Sequence, residues 1–338
     1  MDDGNRQKQQ SVSADEVAVA LGRLDQALQP DGVREAWLTV SLIEEALGSA
    51  ARDGHHIAPV DFLAWLEDGK GLGRGLATWE GFRVARDAYR GANSCRNLDC
   101  GIPAPEDLYE IADRMLLGDD EGSFFHERYQ GRMDNWQEVA AGILAEGRGL
   151  AAAGRLFKAF HELQPVGPRV SFQLARALVP LFLQLCLGLT YRGPWISQDL
   201  DVGGLRRTDI GLTGARQRSV DGYQEIDVIG TDTYWSGFFA AAVMKAAQRG
   251  MARARRAAGL TARIEERVRP GRAGGLLDRV RPMLTTVPVF AKRDVARWTE
   301  TSDHTAEKLC RDLLATGLVE EITGRKRYRL YWIPDLWW

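Results

Sequence analysis

Apolar residues recur along most of this chain at intervals of three and four, the spacing that lines one face of an α-helix. Val17, Leu21, Leu24 and Leu28 predict a helix over 15–28, closed by the Pro30-Asp31-Gly32 turn. Trp37, Val40, Ile43 and Leu47 predict a second over 33–48, with Gly48 as its end. Further helices are expected at 58–66 and at 76–89, the latter terminated by Gly91. A loop with Gly101, Pro103 and Pro105 precedes a helix over 106–117. The polar segment 118–134, which contains His126 and Arg128, shows no periodicity, and the helical spacing resumes over 135–152 and 151–161.

The next apolar run ends on His161 and gives way to a turn containing Pro165, Gly167 and Pro168. Arg169 then opens a second run, 170–184, long enough for a buried helix. Its uncharged part, Ala177–Leu189, is shorter than the ~20 residues of a membrane span and reads as a core helix. The stretch 190–223 is rich in Gly, Asp and Arg. There Asp199, Asp201 and Asp209 with Arg206 and Arg207 suit either a polar cleft or a salt-bridged loop. A long helix is expected over 232–268, apolar at Trp235, Phe238, Phe239, Ala242 and Val243. It turns basic at Arg249, Arg253, Arg255, Arg256 and Arg263, which reads as a phosphate-tracking surface or as a solvated helix face.

After a linker at 269–274 the pattern becomes helix, strand, helix, turn, helix, hairpin. Leu276, Leu277, Val280, Met283 and Leu284 form the face of one helix, and 287–290 is a short β-branched strand. A helix over 291–299 is expected to pack Val295 and Trp298. Ser302 or Asp303 caps another that runs to Thr316, where Gly317 stops it. Strands at 318–322 and 327–332 join through Thr323-Gly324-Arg325-Lys326. This order of elements is that of a winged helix, whose third helix enters the major groove while the hairpin touches phosphate. The exposed candidates for DNA contact are Ser302, His304, Thr305, Lys308 and Arg311 on the helix and Arg325, Lys326, Arg327 and Arg329 on the hairpin. Asp303, Glu307 and Asp312 put acid on the same helix, so a protein-contacting module is the alternative.

Charge divides the same way. Residues 249–338 carry 19 Lys and Arg against 11 Asp and Glu, leaving 25 against 35 in the first 248. A basic C-terminal third on an acidic body points to a polyanion partner for the former. At 338 residues the chain is long enough for two domains. The expected division is a tail at 1–14, a helical domain at 15–268, the linker, and the module at 275–338. Cys95, Cys100, Cys186 and Cys310 have no metal-ligand spacing, and His55-His56 lacks a third ligand, so no metal and no cofactor are expected. The polar start without an apolar core argues against a signal peptide, and the location expected is cytoplasmic.

The turn at 161–169 resembles the signature loop of Fic-type nucleotidyl transferases, in which a histidine is followed by an acid, a Gly-Asn-Gly turn and an arginine. His161 and Arg169 match. Pro165 stands in place of the metal-binding acid, Gly167 and Pro168 replace Asn and Gly, and Phe172 replaces a second arginine. The run Leu200–Arg207 resembles a segment of a bacterial family of degenerate Fic-like proteins with a C-terminal winged helix, a resemblance that covers about Ala20 to Trp332. It implies a mainly α fold, a Fic-like helical domain followed by a small α/β winged-helix domain. In that frame His161 would be the base, with Arg169 and Arg176 as phosphate ligands. Pro165 and Pro168 lack amide hydrogens and Pro165 cannot hold magnesium, so catalysis is expected to be lost and His161 to be a hydrogen-bonded structural residue. The expected function is a DNA-binding transcription regulator with duplex DNA as partner. A nucleotidyl (AMP) transferase acting on a protein hydroxyl and an antitoxin-like docking module are the alternatives. No membrane partner is expected, and a homodimer or a protein partner stays open.

Overall fold

The computed structural model describes residues 12–69, 79–116, 126–199, 232–268 and 275–337. They form a mainly helical protein with one small sheet. The body begins with α1 (Ala14–Ala27), which Ser13 and Glu16 start with a reciprocal capping box. Then come α2 (Asp31–Arg52), α3 (Pro59–Asp68), α4 (Trp79–Cys95), α5 (Pro105–Leu116), α6 (His126–Glu146), α7 (Leu150–Leu163), α8 (Pro168–Leu187) and α9 (Asp232–Arg267). Most of α8 is buried, and its apolar residues form part of the body's core. Its stretch Val170–Leu187 is apolar and long enough to cross a membrane, but 78% of it is buried inside the protein.

Two glycines expected to end helices lie inside them instead. Gly48 sits in α2 under Gln198, where a Cβ would come within 2.8 Å of the side chain and 3.2 Å of the backbone nitrogen. Gly91 sits in α4 against Met115 of α5, 2.7 Å from a would-be Cβ. Both mark close approach rather than a cap, which spacing alone does not distinguish. The segment expected to lack structure contributes the first turns of α6, which runs on to Glu146 before Gly147–Gly149 break it.

The longest helix, α9, crosses the body and is held by aromatic donors. The Trp37 indole on α2 donates to the Gly250 carbonyl at 3.0 Å, and Trp235 of α9 donates to the Gly154 carbonyl of α7 at 3.1 Å. Gly154 also meets the Phe239 ring closely, 3.0 Å from the Cβ position, so the ring packs onto the α7 backbone where a side chain would push it away.

Beyond α9 the order is α10 (Leu276–Thr286), β1 (Val289–Ala291), α11 (Lys292–Thr299), α12 (Asp303–Ala315), β2 (Glu320–Glu321) and β3 (Leu330–Trp332), then a 3-10 turn at Pro334–Leu336. The sheet is antiparallel with β3 central, Phe290 opposite Tyr331 and Glu321 opposite Tyr331 on the other side. Val295 is fully buried, but Trp298, expected in the core, is 43% exposed. The eight-residue α11 buries only one stripe, which Val295 and Thr299 occupy.

This module is docked on the body. Val289, Ile322, Leu330 and Trp332 form one apolar cluster with Ile43 of α2 and Phe62, Leu63 and Trp65 of α3. Arg325 pairs with Asp68 at 2.8 Å and Arg293 pairs with Glu67, both at the end of α3. From the other side Arg263 of α9 meets Asp335 at 2.8 Å and Arg267 donates to the Thr316 carbonyl at 2.8 Å.

The joint between α7 and α8 is also tight. Gly167 has φ 88°, and a Cβ there would lie 2.8 Å from the Tyr129 ring of α6. Gly167→Ala is therefore expected to cost about 1–3 kcal/mol through strain and overpacking. Gly142→Ala, in α6 with nothing within reach of the new methyl group, is expected to gain about 0.5–1 kcal/mol. Urea unfolding of both variants checks the contrast.

Candidate functional site

The residues singled out by the sequence fall in two places, the α7–α8 turn and the outer surface of the C-terminal module. In the turn, Gln164 adopts a left-handed conformation, Gly167 is the N-cap and Pro168 is the first residue of α8, where its missing N–H costs nothing. The Val166 amide donates to Ser171 Oγ at 3.3 Å, and the Gly167 amide donates to the Gln164 carbonyl at 2.9 Å. Pro165 and Pro168 have no amide hydrogen, so the stretch 165–168 leaves no N–H free to cradle an anion. Tyr129 covers it. Glu162 points away on the exposed side of α7, 3.8 Å from Lys158. Arg169 lies in the first turn of α8, and its side chain lies outside the described residues.

His161 is half-buried, with its ring edge-on to Phe172 at 4.8 Å. The Arg176 guanidinium lies over the same Phe172 ring, 4.5 Å from its centroid. Burial and the Arg176 charge hold the imidazole below its ordinary pKa, so it is neutral at pH 7. The expected hydrogen-bonded histidine is thus an aromatic packing partner in its described contacts.

Arg176, expected to face phosphate, is instead an interior residue, 1% exposed. Its Nε and Nη1 have no hydrogen-bond partner among the described residues. Its charge is answered across a gap by Glu45 of α2, which is itself 3% exposed and accepts hydrogen bonds from the Ser197 amide at 3.3 Å and the Ser197 hydroxyl. Burial raises the Glu45 pKa against the pull of Arg176 and Arg52, and burial lowers that of Arg176 against the pull of Glu45. Arg176 lies in the middle of an apolar run, where helical spacing by itself does not separate a solvated cation from a buried one.

Around Ser197 the segment 194–199 is clamped by further polar groups. Arg52 donates to the Ser197 carbonyl at 2.9 Å, Gln198 donates to the Glu44 carbonyl at 3.1 Å, and Arg249 of α9 pairs with Asp199. Arg253 pairs with Glu44 and is 6% exposed. Arg249 and Arg253, read as part of a basic surface, therefore point inward, whereas Arg255 is exposed. Asp199 belongs to a salt-bridged arrangement; Asp201, Arg206, Arg207 and Asp209, with the whole 200–207 run, lie outside the described residues. The polar stripe Ser41, Glu45, Ser49, each four residues after the last and all buried, is the signal in the sequence that marks this interior. Among the described residues no three His, Cys, Asp or Glu gather as a metal site, and all four cysteines are free thiols.

On the module, Ser302 accepts a hydrogen bond from the Thr305 amide at 3.4 Å and begins α12 as expected. Ala306, Leu309, Cys310 and Leu313 face the core, which leaves Ser302, His304, Lys308 and Arg311 exposed and Thr305 half-buried. Glu307 and Asp312 share the outer surface, and Asp303 pairs with Lys292 at 3.0 Å. In the hairpin Arg325 is engaged by Asp68 of the body. Lys326, Arg327 and Arg329 are exposed, with Tyr328 between them 86% exposed at φ 57°. The structure thus brings three of the four hairpin cations together at one tip and assigns the fourth to the joint.

No protein-family model matches the sequence, and no curated protein matches it.

Removing one member of the buried pair leaves the other uncompensated, so Glu45→Ala is expected to destabilise the fold by about 3–5 kcal/mol in urea unfolding. Asp199 is pushed up to about 6 from its ordinary 3.8, chiefly by burial. Its raised folded value means that its contribution is fully present below about pH 3.8 and is lost as pH rises through 6. Asp199→Asn is expected to flatten that part of the stability profile, measured by unfolding at a series of pH values.

Proposed function

We propose that this protein is a DNA-binding regulator whose C-terminal module, a winged helix, reads duplex DNA, and whose helical body is a Fic-like scaffold that no longer transfers nucleotide. The observation that carries the reading is the hairpin tip. Its apolar face is used against α3, yet Lys326, Arg327 and Arg329 stay in solvent with no acidic partner among the described residues. Three cations in four residues around an exposed tyrosine suit a phosphate backbone, where each neutralised phosphate releases counterions. The order helix, strand, helix, helix, hairpin and the exposed Ser302, His304, Lys308 and Arg311 on α12 support entry of that helix into the major groove. Arg325 is left out of this contact set because Asp68 already holds it.

Loss of nucleotidyl transfer is supported by the turn. Its amides are occupied or absent, its acid position is Pro165, and Arg176 is sealed in the core. A neutral His161 retains the protonation state of a base, but these contacts leave it nothing to act on.

Fluorescence anisotropy with the full chain and a mixed duplex library tests the reading. The triple variant Lys326→Ala, Arg327→Ala, Arg329→Ala is expected to lower the slope of log K against log salt by about 2–3, at ~0.9 per phosphate contact. Absence of binding at low salt, or a slope unchanged in the variant, refutes it.

A further inference from the structure

Where α2, α3 and α4 meet the segment entering β1, the fold leaves a half-open cavity of about 200 Å³. Leu42, Leu63 and Val289 supply apolar wall, while Glu67, Tyr89 and Arg96 supply polar groups. Its two sides come from different parts of the molecule, the body and the docked module.

The charges at its rim are not equivalent. Glu67 is paired with Arg293 and so is neutralised. Arg96, half-buried just beyond the end of α4, has no acidic partner among the described residues. Tyr89 stands seven residues, about two helical turns, before it on the same stretch of chain, edge-on to Phe62, and its hydroxyl feels the Arg96 charge. A wall of aliphatic carbons with one unmatched guanidinium and a phenol beside it selects an anion with an apolar body. A guanidinium pairs best with a carboxylate, which it can bind through two parallel N–H donors. The volume is below the ~300–1,000 Å³ that holds drug-sized ligands, so the occupant is small, on the scale of a single ring.

We propose that this cavity is a binding site for a small apolar monocarboxylate, its carboxylate held by Arg96 and Tyr89 and its body against Leu42, Leu63 and Val289. Because Val289 belongs to the module and the other residues to the body, an occupant touches both partners of the joint. The site does not depend on what the module itself binds. If the module reads DNA as proposed above, a ligand that favours the docked arrangement must change DNA affinity by the same factor as DNA changes its own.

Benzoate, phenylacetate and hexanoate, each beside its uncharged amide, are titrated into the full chain and followed by calorimetry and by ligand-observed NMR. At least one carboxylate is expected to bind saturably and its amide at least about tenfold more weakly. Arg96→Met is expected to reduce carboxylate binding to the level of the amide, and Arg96→Lys to restore part of it. Circular dichroism confirms that the variants are folded, and Arg96 is partly exposed, so its replacement leaves the core intact. Equal binding of acid and amide, binding undiminished in Arg96→Met, or no binding of any of the three acids at about 5 mM overturns the site. A DNA affinity indifferent to a carboxylate that does bind leaves the site standing and removes only the coupling.

Discussion

The helix α9 is the constraint to which the other parts answer. Its 36 residues span roughly 54 Å at 1.5 Å per residue, enough to run from the core of the body to the C-terminal module. Its first half is fixed by indole donors and by glycines that let neighbouring side chains pack onto the backbone, its middle by Arg249 and Arg253 turned inward onto acids. Its last turns hold Asp335 and the Thr316 carbonyl through Arg263 and Arg267. A stiff rod committed at both ends leaves the module little freedom to pivot. The cluster on α3 and the pairs to Glu67 and Asp68 close the arrangement from the opposite side.

Charge inside the body serves position more than stability. Glu45, Arg176, Asp199 and Arg253 are buried and Arg249 is half-buried beside them, and desolvation takes back much of what their attraction supplies. They do fix a geometry. Segment 194–199 lies over Gly48, where Arg52, the Glu44 carbonyl, Glu45 and Arg249 all bond to it. Burial, helped by the Arg176 charge, lowers the pKa of the neighbouring His161, whose ring packs on Phe172.

Conflict between motif and packing is sharpest at the α7–α8 turn. A histidine and an arginine at the right separation suggest chemistry, but the intervening prolines, the Ser171 side chain and Tyr129 turn the same backbone into a closed joint between helices. The exposed chemistry of the molecule lies on the far module instead, where an anchored sheet presents a cationic tip.

Local information was enough for the elements. Periodic apolar residues marked all twelve helices of the described residues in part or whole, Ser302 marked the start of α12, and Gly317 and Gly324 fall at positive φ where the turn chemistry required them. The helical start of α6 escaped because its polar first turns carry no apolar stripe, and Gly48 and Gly91 misled because a close helix contact and a helix stop ask for the same residue. Which cations are buried, which are spent on the joint and which are free depended on what lies opposite them in space. Arg176, Arg325 and Arg327 are the same residue type, and the fold assigns one to the core, one to Asp68 and one to solvent. A side chain's periodicity is set by its own backbone, whereas its electrostatic partner comes from a segment hundreds of residues away.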